Sequence, residues 1–411
     1  MTLMSGASEN FIPLLAARVR RLPMVVLTTV FAAGIIFFHH FWMPAAALWA
    51  VLVPGCVAAV LFPRSSAARG ALAVALFAFG GVVWQIHGDT TDASRKWMHD
   101  GGRVHAVASE RFSRLELSPS VAAVAGAMGA GDRSRMTPEL RKAYSRSGVS
   151  HILAVSGLHI GIVFLLANAL CRLLTIFRHG QIVACAAVLV PVWLYAAACG
   201  FSPSVVRAAA MFSMLQLSMA LSSSYRSPNV LAAAAFLMLA FDPAALFDIS
   251  FQLSFAAVTA IVVAGIPLFG IAAGRSFAER FLWETFVIGC TAFVATAPLV
   301  AHCFGELSLA GVLLNPLVII CAYATVAVSV VWMTAPMPFL QPAVEWVLDF
   351  TVGIQNRAVE ILSSYEWLRF DVQPDAWSTA AVYLLLAAAI TAINVLDGKI
   401  KEKRNDYARG V

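Results

Sequence analysis

Charged side chains are scarce in this chain, with 28 Lys+Arg and 22 Asp+Glu among 411 residues, or 12%. A soluble globular domain carries about 25%, so an ordinary water-facing surface is excluded. The seven cysteines (Cys56, Cys171, Cys185, Cys199, Cys290, Cys303, Cys321) lie in or beside apolar segments and show neither a Cys-x-x-Cys pair nor a metal-ligand spacing. They are expected to act as small hydrophobes. A His-x-His-x-Asp-His cluster is also missing, so a two-metal hydrolytic site is not encoded. Neither a cofactor nor a metal is expected.

Hydrophobic residues make up 60% of the chain and recur in runs of roughly 20 residues, the length needed to cross a bilayer. The expected fold is all-α, a polytopic integral membrane helical bundle of about 10–12 transmembrane helices. Spans are expected near 24–41, 44–62, 70–87, 150–171, 181–199, 204–221, 228–241, 249–270, 283–303, 309–333, 343–363 and 377–396. The net charge of +6 then reports orientation more than nucleic-acid binding. Arg18, Arg20 and Arg21, then Arg64 and Arg69, Arg172 and Arg178, Arg226, Arg275 and Arg280, and finally Lys399, Lys401, Lys403 and Arg404 fall on one side of this layout. That side is expected to be cytoplasmic, with both termini there. Ala45-Ala46-Ala47 imitates a signal-cleavage site, but apolar spans follow at once and cleavage is not expected. In 343–363, Glu345, Asp349, Arg357 and Glu360 leave an amphipathic surface helix as the alternative to a span.

Residues 1–87 thus form N-terminal transmembrane hairpins, and 88–118 a short polar extracytoplasmic segment. Residues 119–148 are expected to be helical and to lie at the outer membrane surface, with Thr137-Pro138 as an N-cap and first-turn pair. Residues 336–411 hold the last helices and a basic cytoplasmic tail.

Polar residues inside apolar runs are the candidates for function, because hydrocarbon expels them unless they face protein or water. The run Gly148-Val-Ser-His-Ile-Leu-Ala-Val-Ser-Gly-Leu-His-Ile-Gly161 carries His151, Ser156 and His159. On one continuous helix, at roughly 100° per residue, these three share an arc of about 140°. Gly157 and Gly161 form a second, smooth face suited to close helix packing. Ser202-Pro203-Ser204-Val-Val-Arg207 opens a span and places an arginine one turn inside it, where it either snorkels to the interface or meets an anion. Asp248 and Gln252 stand four apart, beside Ser254, Phe251 and Phe255. A Gly-containing break, Phe304-Gly305 to Gly311, is flanked by His302, Glu306 and Asn315-Pro316; it is either a cavity-lining interruption or an ordinary loop.

Taken in order, Gly131-Asp132-Arg133-Ser134, the 148–159 run, Ser204-Val-Val-Arg-Ala208, Phe251-Gln-Leu-Ser-Phe255, Phe304-Gly305 with Ser308-Leu309, and Asn315 resemble the competence domain of the ComEC family. That family is the bacterial inner-membrane channel that takes up single-stranded DNA during natural transformation. The resemblance implies a channel domain over 119–335, an inner-membrane location, and a strand path along His151, Ser156, His159, Arg207, Asp248, Gln252 and Ser254. It further implies single-stranded DNA and membrane lipid as partners, with separate subunits for DNA capture and strand degradation, or a homodimer. Family members typically carry an OB-type domain where this chain has only 88–118, and many end in a metallo-β-lactamase-like domain, for which this chain has no counterpart. Two other readings stay open from the residues: a secondary transporter of a small anion built on the broken segments, and an intramembrane serine hydrolase built on Ser156 and His159. A channel without enzymatic activity is expected.

Overall fold

Apolar length and composition, more than capping, decide where helices form. The computed structural model describes residues 22–62, 65–87, 102–172, 176, 180–221, 227–272 and 274–390. The N-terminal basic segment, residues 88–101 of the polar segment, Arg64, Arg178, Arg226 and the tail from 391 lie outside the described residues. Among those described, seven helices are long and apolar enough to cross a membrane and five shorter ones are apolar. The chain is an all-α polytopic membrane protein.

It divides into two units. The first comprises the chain up to Met136, Ile152–Gln252 and Ala322–Val352. Its helices are α1 (Pro23–His40), α2 (Ala45–Leu61), α3 (Ser66–His87), α4 (Gly102–Ser113) and α5 (Pro119–Ala130). After the division come α6 (Pro138–Arg146) and α7 (Ser150–Leu153), then α8 (Gly157–Cys171), α9 (Gly180–Ala198), α10 (Pro203–Leu221) and α11 (Ser227–Phe241). The core of this unit is built where α8, α9 and α10 meet. Ile160, Val163, Phe164 and Ala167 form a stripe on α8, Val188, Val192 and Tyr195 one on α9, and Val205 and Ala209 one on α10. Each stripe follows the three- and four-residue spacing of a helix face.

In helix α5 nine of the twelve residues are buried within the protein. Its Ala and Gly side chains let neighbours close around it. A buried helix end must still find partners for its last carbonyls. The Tyr195 hydroxyl donates to the Met128 carbonyl at 3.2 Å, and the Cys199 thiol to that of Gly129 at 3.8 Å. Helix α4 is tied down by Trp332, whose Nε1 donates to the Arg111 carbonyl at 2.9 Å.

The second unit comprises Thr137–His151, Leu253–Cys321 and the chain from Gly353. Helix α6 starts as expected, with Thr137 Oγ1 accepting from the Leu140 amide at 3.3 Å. The Tyr144 side chain is fully buried; its hydroxyl donates to Asn356 Oδ1 at 2.7 Å and accepts from Gln355 Nε2 at 3.0 Å. Helix α12 (Ile249–Ala260) runs on through one π-helical turn, Ile261–Gly265. Helix α13 (Phe277–Phe304) ends on Gly305 at φ +75°, the left-handed conformation that favours glycine. A three-residue strand, β1 (Glu306–Ser308), leads into α14 (Ala310–Thr334), and β1 pairs antiparallel with β2 (Arg369–Asp371). Helix α16 (376–390) docks on α13 through the Tyr383 hydroxyl, which donates to the Ala295 carbonyl at 3.0 Å.

Helix α15 (Gln341–Ser363) is amphipathic. Val344, Leu348, Val352 and Val359 are buried while Asp349, Arg357 and Glu360 are exposed. It is not one of the seven long apolar helices, and its exposed side also carries Trp346, Phe350 and Ile361.

Candidate functional site around a broken helix

The apolar run 150–171 is not one helix. Helix α7 lasts a single turn, Ala154 to Ser156 are non-helical, and α8 starts afresh at Gly157. The cause is local. Ser156 adopts an extended conformation (φ −115°, ψ 178°) and becomes the N-cap of α8 in a capping box with His159. Serine competes in this way with the continuing helix because its side chain offers the backbone another partner. Ser156 Oγ lies 3.3 Å from the Leu158 amide and 3.0 Å from His159 Nδ1, which also accepts from the Ser156 amide at 3.1 Å. With Nδ1 an acceptor, the neutral ring carries its proton on Nε2. The expected continuous arc of His151, Ser156 and His159 is therefore replaced. Ser156 and His159 are brought together as a cap, whereas His151 lies on α7, is exposed and belongs to the second unit.

A break in an apolar helix frees carbonyls that must be paired within the protein. Two motifs supply the donors. Arg133 Nε donates to the Leu153 carbonyl at 3.3 Å, and Ser204 Oγ to that of Val155 at 2.7 Å. Arg133 is positioned by the turn that ends α5. There Gly131 is left-handed at φ +74°, and the Asp132 amide bonds back to the Gly126 carbonyl at 3.1 Å. A Cβ on Gly131 would lie 3.1 Å from the Cys199 carbonyl oxygen. Asp132 Oδ1 accepts from the Ser134 amide at 2.9 Å. Partial burial pushes the Asp132 carboxyl up, but the Ser134 bonds and the charges of His105 and Arg135 outweigh it and hold the group below its ordinary value.

Helix α10 contacts the break on both sides of Arg207. Ser204 bonds Val155, and Ala208 Cβ sits 3.8 Å from where a Cβ on Gly157 would be. One turn along α8, a Cβ on Gly161 would meet the Phe212 ring at 3.1 Å, so the close approach is at Gly161. Arg207 itself is 5% exposed, and its Nε has no hydrogen-bond partner among the described residues. The Asp248 carboxylate acts on its charge through space. Asp248 stands one turn before Gln252, its carbonyl accepting from the Gln252 amide at 3.0 Å. It precedes α12 and caps it, accepting from the Ser250 amide at 2.8 Å, while Gln252 Nε2 donates back to the Leu246 carbonyl at 2.9 Å.

The structure thus gathers Gly131, Asp132, Arg133, Ser156, Gly157, His159, Arg207 and Asp248 in the first unit, with Gly161 and Gln252 flanking them. Ser254 and Asn315 belong to the second unit, where Asn315 packs against Gly289. Ser204, at the opening of the α10 span, is a functional residue that the sequence alone does not single out. Its polar character in the first turn of an apolar span was the available signal.

Similar proteins include ComE operon protein 3 of Bacillus subtilis (strain 168), 27% identical over 208 residues, which are 51% of this chain and 26% of that protein. An uncharacterized protein of Aquifex aeolicus (strain VF5) is 33% identical over 219 residues, 52% of this chain and 49% of that one. Uncharacterized protein YcaI of Escherichia coli (strain K12) is 35% identical over 161 residues, 36% of this chain and 20% of that one. The chain therefore spans half or less of the length of each. No solved structure matches it. The Competence protein family matches residues 128–395, a stretch containing every residue gathered at the broken helix, and the chain belongs to that family.

Proposed function

We propose that this chain forms the membrane path by which single-stranded DNA crosses the bacterial inner membrane in natural transformation, with both termini cytoplasmic. Membership of the Competence protein family supports the process, and the buried Arg207 beside the break in 150–171 is the observation that carries the path. A polyanion crossing an apolar bundle needs a cation that receives each phosphate and releases it. Arg207 fits that role because the Asp248 carboxylate acts on its charge through space, which weakens its hold on any one phosphate. Its burial means that the strand reaches it only when the surrounding turn opens. Unwound backbone at 154–156 is the kind of irregular segment that membranes tolerate beside a path. Ser156 and His159 act in this reading as the cap that sets the break, not as a nucleophile and base.

The test is transformation by purified linear DNA in a competent host whose only copy is Arg207→Gln, Arg207→Lys or wild type. Arg207→Gln should lower transformation by about tenfold or more through the lost phosphate contact, with unchanged protein in the membrane. Arg207→Lys should retain part of the activity. Undiminished transformation in Arg207→Gln would count against Arg207 as the strand contact.

A further inference from the structure

The far ends of α8 and α10, roughly 20 Å from the break at 1.5 Å per residue, enclose a second feature with the start of α9. A cavity of about 380 Å³ lies there, within the first unit. Its polar wall is Asn168, Arg172, Gln181 and Gln216. Gln216 is 6% exposed, and its Oε1 is an acceptor without a donor among the described residues. A buried amide oxygen left in that state is unfavourable by an amount comparable to a lost hydrogen bond. Arg172 is exposed at the end of α8, and beside it the surface turns apolar: Leu170, Ile182 and Leu221 are 79%, 67% and 77% exposed. In a membrane protein such residues face acyl chains.

We propose that this cavity binds the headgroup of a membrane phospholipid that carries a hydrogen-bond donor beyond its phosphate, as ethanolamine and glycerol do. The Arg172 guanidinium takes the phosphate oxygens, the ammonium or hydroxyl of the head donates to Gln216 Oε1, and the acyl chains lie along Leu170, Ile182 and Leu221. The donor requirement selects the occupant. A nucleic-acid phosphodiester has no donor on its phosphate, and choline has none on its trimethylated nitrogen. A soluble anion would have no use for the apolar flank.

The experiment is lipid retention by the intact, detergent-purified chain in native mass spectrometry, with phosphatidylethanolamine, phosphatidylglycerol and phosphatidylcholine of matched chains. The expected result is about tenfold tighter retention of the first two than of phosphatidylcholine, the size of one hydrogen bond to a buried partner. Gln216→Leu should erase that preference, and Arg172→Gln, at an exposed position, should weaken both favoured lipids without touching the core. If Gln216→Leu is not recovered folded, Gln216→Met carries the same expectation at near-equal volume. Equal retention of all three lipids by the wild type, or a preference that survives in the Gln216 variant, overturns the proposal. So does displacement of bound phosphatidylethanolamine by a short oligothymidylate, which would assign the cavity to the strand.

Discussion

Removing the hydroxyl of Ser204 should loosen the broken helix without altering any charge. In the folded chain Ser204 Oγ donates to the Val155 carbonyl at 2.7 Å, and Val155 is 3% exposed. Ser204→Ala deletes the donor and leaves the carbonyl of the buried Val155 without it. An unsatisfied buried acceptor costs about 1–3 kcal/mol in soluble proteins. In membranes side-chain hydrogen bonds average about 0.6 and reach about 1.7 kcal/mol, because the unfolded reference also finds partners. The expected loss is therefore about 1–1.5 kcal/mol, the upper part of the membrane range, given the short distance and the burial of Val155. Ser204→Thr keeps the hydroxyl and should recover most of it. The assay is equilibrium unfolding in mixed micelles, titrating sodium dodecyl sulfate against a mild detergent, with Ser204→Ala, Ser204→Thr and wild type in parallel. A Ser204→Ala protein within about 0.3 kcal/mol of wild type, below the usual worth of such a bond, would refute the claim that this bond holds the break.

Two further predictions concern the same site. Gly157 and Gly161 should respond differently to alanine: an added Cβ at 157 meets Ala208 at an ordinary 3.8 Å, while one at 161 presses on Phe212 at 3.1 Å. With Gly→Ala in a helix worth up to about 1 kcal/mol of stabilisation, Gly157→Ala should be neutral or stabilising, and Gly161→Ala less stable than it by about 1–2 kcal/mol. Equal unfolding free energies would contradict the packing described. Asp132 should confer a pH dependence. Its carboxyl is held below the ordinary 3.8, so its stabilising effect is complete above that value and disappears as pH falls through the lower folded value. The difference in unfolding midpoint between wild type and Asp132→Asn should be flat above the ordinary value and shrink below it; a difference that grows with acidity would reverse the assignment.

Much of the fold was legible because a membrane imposes a length on apolar runs. Expected spans at 181–199, 204–221 and 228–241 correspond to helices Gly180–Ala198, Pro203–Leu221 and Ser227–Phe241. Hydropathy could not see the break at 154–156, because Leu153, Ala154 and Val155 are as apolar as the helices around them and the interruption lies in backbone hydrogen bonding. Nor could it see the burial of α5, since Ala and Gly mark a helix that neighbours approach closely only once those neighbours are known. At the site, residue types were legible and roles were not. Arg207 was identified as the costly charge, and Asp248 as a polar group beside an aromatic pair. That the Asp248 charge acts on Arg207 depends on the fold bringing together positions 41 apart in the chain. A shared arc for His151, Ser156 and His159 requires helical periodicity through Ser156, where the helix in fact restarts.

The most direct test of the strand path is site-specific photo-crosslinking during uptake. A benzophenone amino acid replaces Ala154, half-buried in the unwound segment, or Leu165, 54% exposed on the outer face of α8. The cells are given radiolabelled transforming DNA and irradiated while transformation proceeds. A labelled adduct of the chain is expected from position 154 and none from position 165. No adduct at 154, or equal labelling at both, would contradict it.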